Sequence, residues 1–245
     1  MKGVILAGGT GSRLFPLTKV TNKHLLPVYD KPMIYYPLEC MAKQGIEEVL
    51  LVTGGNNSGD FIRLLGNGRD FGLQSLNYTY QDGAGGIAQA LGLAEHFAGD
   101  DSICLILGDN ILEYTIQEAG RKFRHQGQGA KILLSPVENP KAYGVAEMEG
   151  DRVARIVEKP KEPKSNLAVI GIYFYDNRVF DIVRTLKPSA RNELEITDVN
   201  NAYIERGEMS FDKVNGFWAD AGENIDFYLK ACNTVAQCGA NKDTK

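Results

Sequence analysis

Short apolar runs recur along the first half of the chain, each followed by a turn and then by a stretch whose apolar positions have helical spacing. Residues 2–6, 48–53, 75–80 and 102–107 read as strands. Between them, residues 31–44 read as a helix with Asp30 as N-cap and Pro32 in its first turn. Residues 59–65 and 86–97 read as two more helices. Alternation of this kind implies an α/β fold: a Rossmann-like, mainly parallel sheet covered by helices on both faces, with right-handed crossovers. Ligands of such sheets bind beyond the carboxyl ends of the strands.

The second half changes character. Residues 130–136, 144–148, 153–157 and 169–175 read as further strands with shorter connections, and helical patterns return at 179–185, 195–206 and 223–237. The polar stretch 239–245 is expected to fray. With no repeat or linker in view, the pattern predicts one domain over 1–238, strand-rich after about residue 130.

Composition narrows the function classes. A formal net charge of −4 without any basic block leaves no electrostatic footprint for nucleic acid or an anionic membrane. No signal peptide is expected ahead of the first strand, and no apolar run of the sequence has the length of a membrane span. The cysteines (Cys40, Cys104, Cys232, Cys238) show no Cys-x-x-Cys pair and no histidine at zinc-ligand spacing, so a reducing cytoplasmic setting is expected.

The chemistry begins at Leu6-Ala7-Gly8-Gly9-Thr10-Gly11-Ser12-Arg13-Leu14. Glycines let backbone approach a ligand closely, converging amides bind an anion, and Arg13 adds a planar donor fork suited to phosphate. The run is not a P-loop, because no Gly-Lys-Ser/Thr follows, nor a dinucleotide fingerprint, because Leu14 stands where the third glycine belongs. A plain turn is the alternative.

Other candidates carry their own alternatives. Lys23 is either a solvated lysine or a second cation at the same mouth of the sheet. His24 reads better as a hydrogen-bonded structural histidine than as a base. Asp109 follows the apolar run 104–107 and Gly108, so its carboxylate must be paired, solvated or metal-bound. Asp220, beside the single tryptophan, is either a second metal carboxylate or an N-cap-like residue before the last helix. Glu158-Lys159-Pro160 is an exposed strand end, or a site for sugar hydroxyls and a sugar phosphate. Arg191 is a phosphate cation or a partner of Glu193 and Glu195. Gln81 and the glycines that follow form a base-reading loop or a flexible turn.

Taken together, these runs resemble the sugar-phosphate nucleotidyltransferases. The matching segments are 6–14, Asn-Lys-His-Leu-Leu-Pro-Val-Tyr-Asp-Lys-Pro-Met-Ile-Tyr-Tyr-Pro-Leu (22–38), Gly-Ile-Ala-Gln-Ala (86–90), Leu-Gly-Asp-Asn (107–110), Tyr-Gly-Val (143–145), Glu-Lys-Pro (158–160), Gly-Ile-Tyr-Phe-Tyr-Asp (171–176) and Glu-Leu-Glu-Ile-Thr-Asp-Val-Asn (193–200). They stand in the family's order and cover nearly the whole chain.

The resemblance implies a nucleotide-binding part over about 1–130 and a sugar-binding part over about 131–238. Leu6, Gly8, Gly9, Thr10, Gly11, Ser12 and Arg13 would hold the nucleoside triphosphate, with Lys23 and Asp109 on its phosphates and Gln81 and Gly86 on the pyrimidine. Asp109 and Asp220 would ligate Mg²⁺. Tyr143, Gly144, Glu158 and Val169 would line the sugar site, while Lys159 and Arg191 would bind the sugar phosphate. The implied reaction joins dTTP to α-D-glucose 1-phosphate by in-line single displacement, with Arg13, Lys23, Asp109, Lys159 and Asp220 carrying catalysis. The same chemistry with UTP, CTP or another hexose 1-phosphate is the near alternative, and a non-catalytic nucleotide-sugar sensor the distant one. Members of the family are often homo-oligomers, dimers or tetramers. The chain departs from the family pattern at Ser12 (commonly threonine), His24 (commonly glutamine), Asn192 (usually glycine) and Trp218-Ala219-Asp220-Ala221-Gly222 (usually Trp-Leu-Asp-Thr-Gly).

Overall fold

The N-terminal strand β1 (Lys2–Ala7) of the computed structural model, which describes residues 1–243, is apolar because it is covered on both sides: Val4, Ile5 and Ala7 have no exposed surface. Two short strands, β2 (Pro27–Val28) and β3 (Lys31–Pro32), form a hairpin ahead of helix α1 (Tyr35–Lys43). Strand β4 (Glu48–Gly54), helix α2 (Ser58–Leu65) and strand β5 (Ser75–Gln81) follow. Next come helices α3 (Ile87–Gly92) and α4 (Glu95–Ala98), then strands β6 (Ile103–Leu107) and β7 (Asn110–Leu112). The second half adds α5 (Gln117–Gln126), β8 (Ala130–Pro136), β9 (Gly144–Glu149), β10 (Arg152–Glu158) and β11 (Leu167–Tyr175). It closes with α6 (Val179–Thr185), α7 (Ile196–Glu205), β12 (Met209–Lys213), β13 (Trp218–Asp220) and α8 (Ile225–Cys238). The fold is α/β, with a mostly parallel sheet flanked by helices.

The chain divides into two compact units that are not consecutive halves. Unit 1 is Met1–Ala84, Ile106–Gln117 and Asn215–Lys245; unit 2 is Gly85–Leu105 and Glu118–Val214. In unit 1, β1, β4 and β5 run parallel, with Ala7 beside Thr53 and Gly54 beside Gln81. The C-terminal segment returns to this unit because its apolar side chains bury there: Ala221, Ala231 and Val235 join Val28, Met33, Tyr36 and Ile111 in one cluster. In unit 2, β8, β9, β10 and β11 pair antiparallel and β12 runs parallel to β8. Its core includes stacked Tyr173, Tyr175 and Tyr203, and the hydroxyls of Tyr175 and Tyr203 donate to Asn200 and Asp176.

Three local expectations are corrected. The helix predicted over 31–44 begins only at Tyr35. Residues 31–32 pair in the hairpin instead, with Tyr29 at φ 58, and Met33 and Ile34 donate to the carbonyls of Leu26 and His24. Asp30 thus lies in a turn, and cross-strand pairing outweighs the Pro32 helix-start signal. The single helix predicted over 86–97 breaks in two after Gly92, a weak helix former where an added Cβ would lie 3.2 Å from Val183. The predicted fraying fails over 239–243. Asn241 is 2% exposed and donates to the Tyr36 carbonyl, its amide bonds Leu112, and Lys242 pairs with Glu113. Thr244 and Lys245 lie outside the described residues.

Candidate active-site residues

Unit 1 holds the glycine loop just past β1. Gly9 (φ 94) and Gly11 (φ 63) take left-handed conformations, and a Cβ at Gly11 would overlap the Thr18 side chain, whose hydroxyl bonds the Gly11 carbonyl at 2.9 Å. The loop from Gly9 to Arg13 is exposed or half-exposed, and among the described residues the amides of Gly9, Thr10 and Gly11 have no hydrogen-bond acceptor. Unpaired amides in a glycine-rich turn are donors of the kind an anion can satisfy. Leu6 is buried, and its carbonyl takes the Gly108 amide at 2.9 Å, which ties the loop's root to the segment carrying Asp109. Gln81, at the end of β5, lies with its side-chain oxygen 3.1 Å from where a Gly8 Cβ would stand. Arg13 and Ser12 sit in a single 3₁₀ turn (Ser12–Leu14), and the Arg13 guanidinium pairs with the carboxylate of Glu223.

Lys23, Asp109 and Asp220 come together in the same unit. Lys23 opens a 3₁₀ turn (Lys23–Leu25) capped by Asn22, and its ammonium pairs with the Asp109 carboxylate. Strand β13 lies against β7 with Asp220 opposite Asn110, and the Ala221 amide bonds the Asp109 carbonyl at 3.0 Å, so the two aspartates sit on adjoining segments. A Cβ on Gly222 would overlap both the Asp109 carboxylate and the Lys23 ammonium. Glycine there lets the pair close. Burial alone would lower the Lys23 pKa, but the charges of Asp109 and Asp220 raise it. Burial opposes ionisation of Asp109 too, yet the Lys23 ammonium holds that carboxyl at about 2. Asp220 is pushed up to about 7, first by burial and then by the Asp109 charge. Two carboxylates thus share one buried ammonium, a donor set of hard oxygens short of positive charge. The N-cap reading of Asp220 is overturned, because Asn224 caps α8 by accepting from the Phe227 amide at 3.0 Å. Ala221, where the family usually has threonine, is fully buried in the apolar cluster.

His24 is structural, as its sequence setting predicts. It is 2% exposed, and its backbone amide and Nδ1 both bond Asn22 Oδ1, at 3.0 and 2.8 Å. Asn22 Nδ2 in turn donates to the Ala7 carbonyl at 3.3 Å, which leaves its oxygen as the acceptor and fixes the Nδ1–H tautomer. Burial, then the Lys23 charge, lowers the His24 pKa to about 3. The unfolded chain therefore binds the extra proton between about pH 6.5 and pH 3, and stability falls as pH falls through that window at ~1.4 kcal/mol per unit. His24→Gln is expected to remove this acid-limb loss while leaving stability at pH 8 nearly unchanged. Urea titrations at pH 8 and pH 5 measure it, and equal acid sensitivity in both proteins would contradict it.

Unit 2 holds the remaining candidates. Glu158 ends β10 opposite Gly144, Thr197 donates to its Oε2 at 2.7 Å, and Arg191 reaches its Oε1 at 3.4 Å. Lys159 has φ 43, and its amide bonds the Tyr143 carbonyl at 3.0 Å, which turns its exposed side chain out of the strand. Val169 is buried on β11, beside Leu134 of β8. Arg191 is held by carboxylates, closest to Glu195 at 2.7 Å, with Glu193 at 3.3 Å, so the pairing foreseen as its alternative is present. Asn192 has φ 60, a conformation glycine enters freely and asparagine tolerates, which accounts for the departure there. Gly86, at φ 96, packs on the backbone of Leu194, where a Cβ would overlap the carbonyl.

Four participants were not singled out from the sequence: Asn22, Asn110, Thr197 and Glu223. Asn110 accepts from the Trp218 indole at 2.6 Å. Asn22 stood at the head of a motif and carried a capping signal; the others act through partners far away in sequence.

The nucleotidyl transferase family profile matches residues 2–237, and the chain belongs to that family. Among curated relatives, glucose-1-phosphate thymidylyltransferase of Neisseria meningitidis serogroup A is 47% identical over 235 residues, 94% of this chain and 81% of that protein. A crystal structure of a Bacillus anthracis protein assigned as a glucose-1-phosphate thymidylyltransferase, in complex with sucrose, superposes with a TM-score of 0.92 at 48% identity, covering 100% of this chain and 98% of the other. A UDP-glucose pyrophosphorylase complexed with UDP-glucose superposes with a TM-score of 0.85 at 26% identity, covering 96% and 98%.

Proposed function

We propose that this nucleotidyltransferase moves a thymidylyl group from dTTP to α-D-glucose 1-phosphate, releasing pyrophosphate and forming dTDP-glucose. The observation that carries the reading is the unit 1 cluster: a nest of unpaired amides, Arg13, and the buried Lys23–Asp109 pair beside Asp220. Relatives at 43–47% identity bear the name of this activity.

An oxygen of the sugar phosphate, ionised at neutral pH, attacks the α-phosphorus; the new P–O bond forms as the bond to pyrophosphate breaks. No protein nucleophile is needed, so catalysis rests on positioning two anions and neutralising their repulsion. The loop amides and Arg13 bind the triphosphate, and Lys23 balances charge on the departing pyrophosphate. Gln81 and Gly86 contact the pyrimidine. Glu158, with Tyr143, Gly144 and Val169, receives the sugar, and Lys159 and Arg191 bind its phosphate. Asp109 and Asp220 fit Mg²⁺, being paired carboxylates with a deficit of positive charge; when bound, the ion would neutralise phosphate charge. The free cysteines support a reducing, cytoplasmic setting, and exposed Phe15, Val20 and Tyr29 support a homo-oligomer.

Pyrophosphate release from a panel of four nucleoside triphosphates against several sugar 1-phosphates tests the reading. Turnover with dTTP and glucose 1-phosphate is expected to dominate. Preference for UTP, toward which the likeness to UDP-glucose pyrophosphorylase points, would replace the donor. No turnover with any pair would remove the activity. Lys159→Gln is expected to raise KM for glucose 1-phosphate roughly 10- to 100-fold, the worth of a charge-assisted phosphate contact, with little change in KM for dTTP. A change confined to dTTP would reverse the assignment.

A further inference from the structure

Arg13 is paired with Glu223, a residue to which the proposed reaction gives no role. Its carboxylate is the more buried member of the pair, with 18% of the side chain exposed against 56% for Arg13. Its position is set on both sides. The Glu223 amide closes a turn onto the Asp220 carbonyl at 3.4 Å, the Gly222 amide bonds Asp220 Oδ1 at 3.0 Å, and Asn224 caps α8 immediately after it. A carboxylate on a guanidinium occupies the same planar fork that a phosphate would use.

We infer that Glu223 stands in for a phosphate on Arg13 when no nucleotide is present, and so sets the affinity of the site for the triphosphate. Glu223 brings the local count to three carboxylates, Asp109, Asp220 and Glu223, against two cations, Lys23 and Arg13. An arriving polyphosphate must break the Arg13–Glu223 pair and then tolerate the released negative charge nearby. Both effects weaken binding; neither touches the sugar phosphate. The inference rests on the proposed role of the loop and Arg13 in holding nucleotide phosphates.

The test is a binding cycle with dTTP and, separately, inorganic pyrophosphate as probes, by calorimetry at one fixed salt concentration. It compares the unaltered protein with Glu223→Gln, Arg13→Ala and the double variant. Glu223→Gln keeps the shape and removes the charge; it is expected to tighten both ligands by roughly 3- to 10-fold, in line with a partly exposed ion pair and one like charge removed. KM for glucose 1-phosphate should not move. In the Arg13→Ala background the gain should shrink to less than twofold, because the fork under competition is gone. Equal or weaker binding by Glu223→Gln would overturn the inference, the latter result making Glu223 a positioning partner of Arg13. An undiminished gain without Arg13 would also overturn it, leaving only a general charge effect. Glu223→Ser, with melting temperatures of all variants, separates binding changes from unfolding. Failure of the unaltered protein to bind dTTP or any other nucleoside triphosphate would instead remove the functional reading beneath the inference.

Discussion

Asp220→Asn is expected to abolish transfer and, at the same time, to make the protein more stable at pH 8. Burial and the neighbouring Asp109 charge push the Asp220 carboxyl up to about 7, whereas in the unfolded chain it titrates near ~4. The folded state therefore binds more protons across that window, so stability is lost as pH rises from about 4 to about 7, and the full penalty is present at pH 8. Asparagine removes the charge and keeps the oxygen that accepts the Gly222 amide at 3.0 Å. A gain of about 2 kcal/mol is expected, a rise of several degrees in melting temperature for a chain of this size. Turnover should fall by roughly 100-fold or more, since a metal carboxylate contributes several kcal/mol to stabilising transferred phosphoryl charge. Melting at pH 5 and pH 8 with a pyrophosphate-release assay reads both effects. Millimolar magnesium should raise the melting temperature of the unaltered protein at pH 8 more than that of the variant. Retained turnover would remove Asp220 from the site; an unchanged pH dependence would remove the electrostatic account.

Lys23→Met should act on stability in the opposite direction. It takes away the one buried ammonium that balances Asp109 and leaves that carboxylate, in a residue 7% exposed, without its ion-pair partner. Removing one member of a buried pair costs about 3–5 kcal/mol. Without the ammonium, burial and the Asp220 charge push the Asp109 carboxyl above the ordinary carboxylate range of the unfolded chain, so the variant should lose stability progressively as pH rises and recover part of it below about pH 5. Turnover should be lost as well, because the leaving pyrophosphate has lost a cation. Denaturant titrations at pH 5 and pH 8 check the sign. A variant as stable as the parent at pH 8 would show that the Lys23–Asp109 contact carries no weight. Two substitutions that both end activity while moving stability in opposite senses would mark a built charge cluster, which general damage to the fold cannot imitate.

The glycine loop shows how far local reading reaches. Gly9 and Gly11 need left-handed backbone, and the strand before them is apolar throughout; both are properties of residues next to each other in the chain. The long strands and most helices were legible for the same reason, since period and apolar content are local. Where local signals conflict with a contact from elsewhere, the contact wins. Asp30 and Pro32 look like a helix start, but Lys31 and Pro32 pair with Val28 and Pro27. The polar residues 239–243 look like a loose end, but Asn241 finds the Tyr36 carbonyl and Lys242 finds Glu113. Short strands such as β7 and β13 are too brief to show a period and exist because they pair with each other.

The sequence by itself determined the family, the α/β class and the residue types at each candidate position, because motif order, period and side-chain chemistry are all written along one dimension. It also held both readings of Asp220 and of Arg191 without deciding between them. Only the tertiary structure decided that Asp220 lies beside Asp109 while Asn224 caps the helix, that one lysine serves two carboxylates, and that Arg13 is already paired with Glu223 across 210 positions of chain. The physical reason is that burial and charge separation are properties of three-dimensional distance: a carboxyl's proton affinity depends on which cation is near and how much water is gone, and neither is encoded at the residue's own place in the sequence.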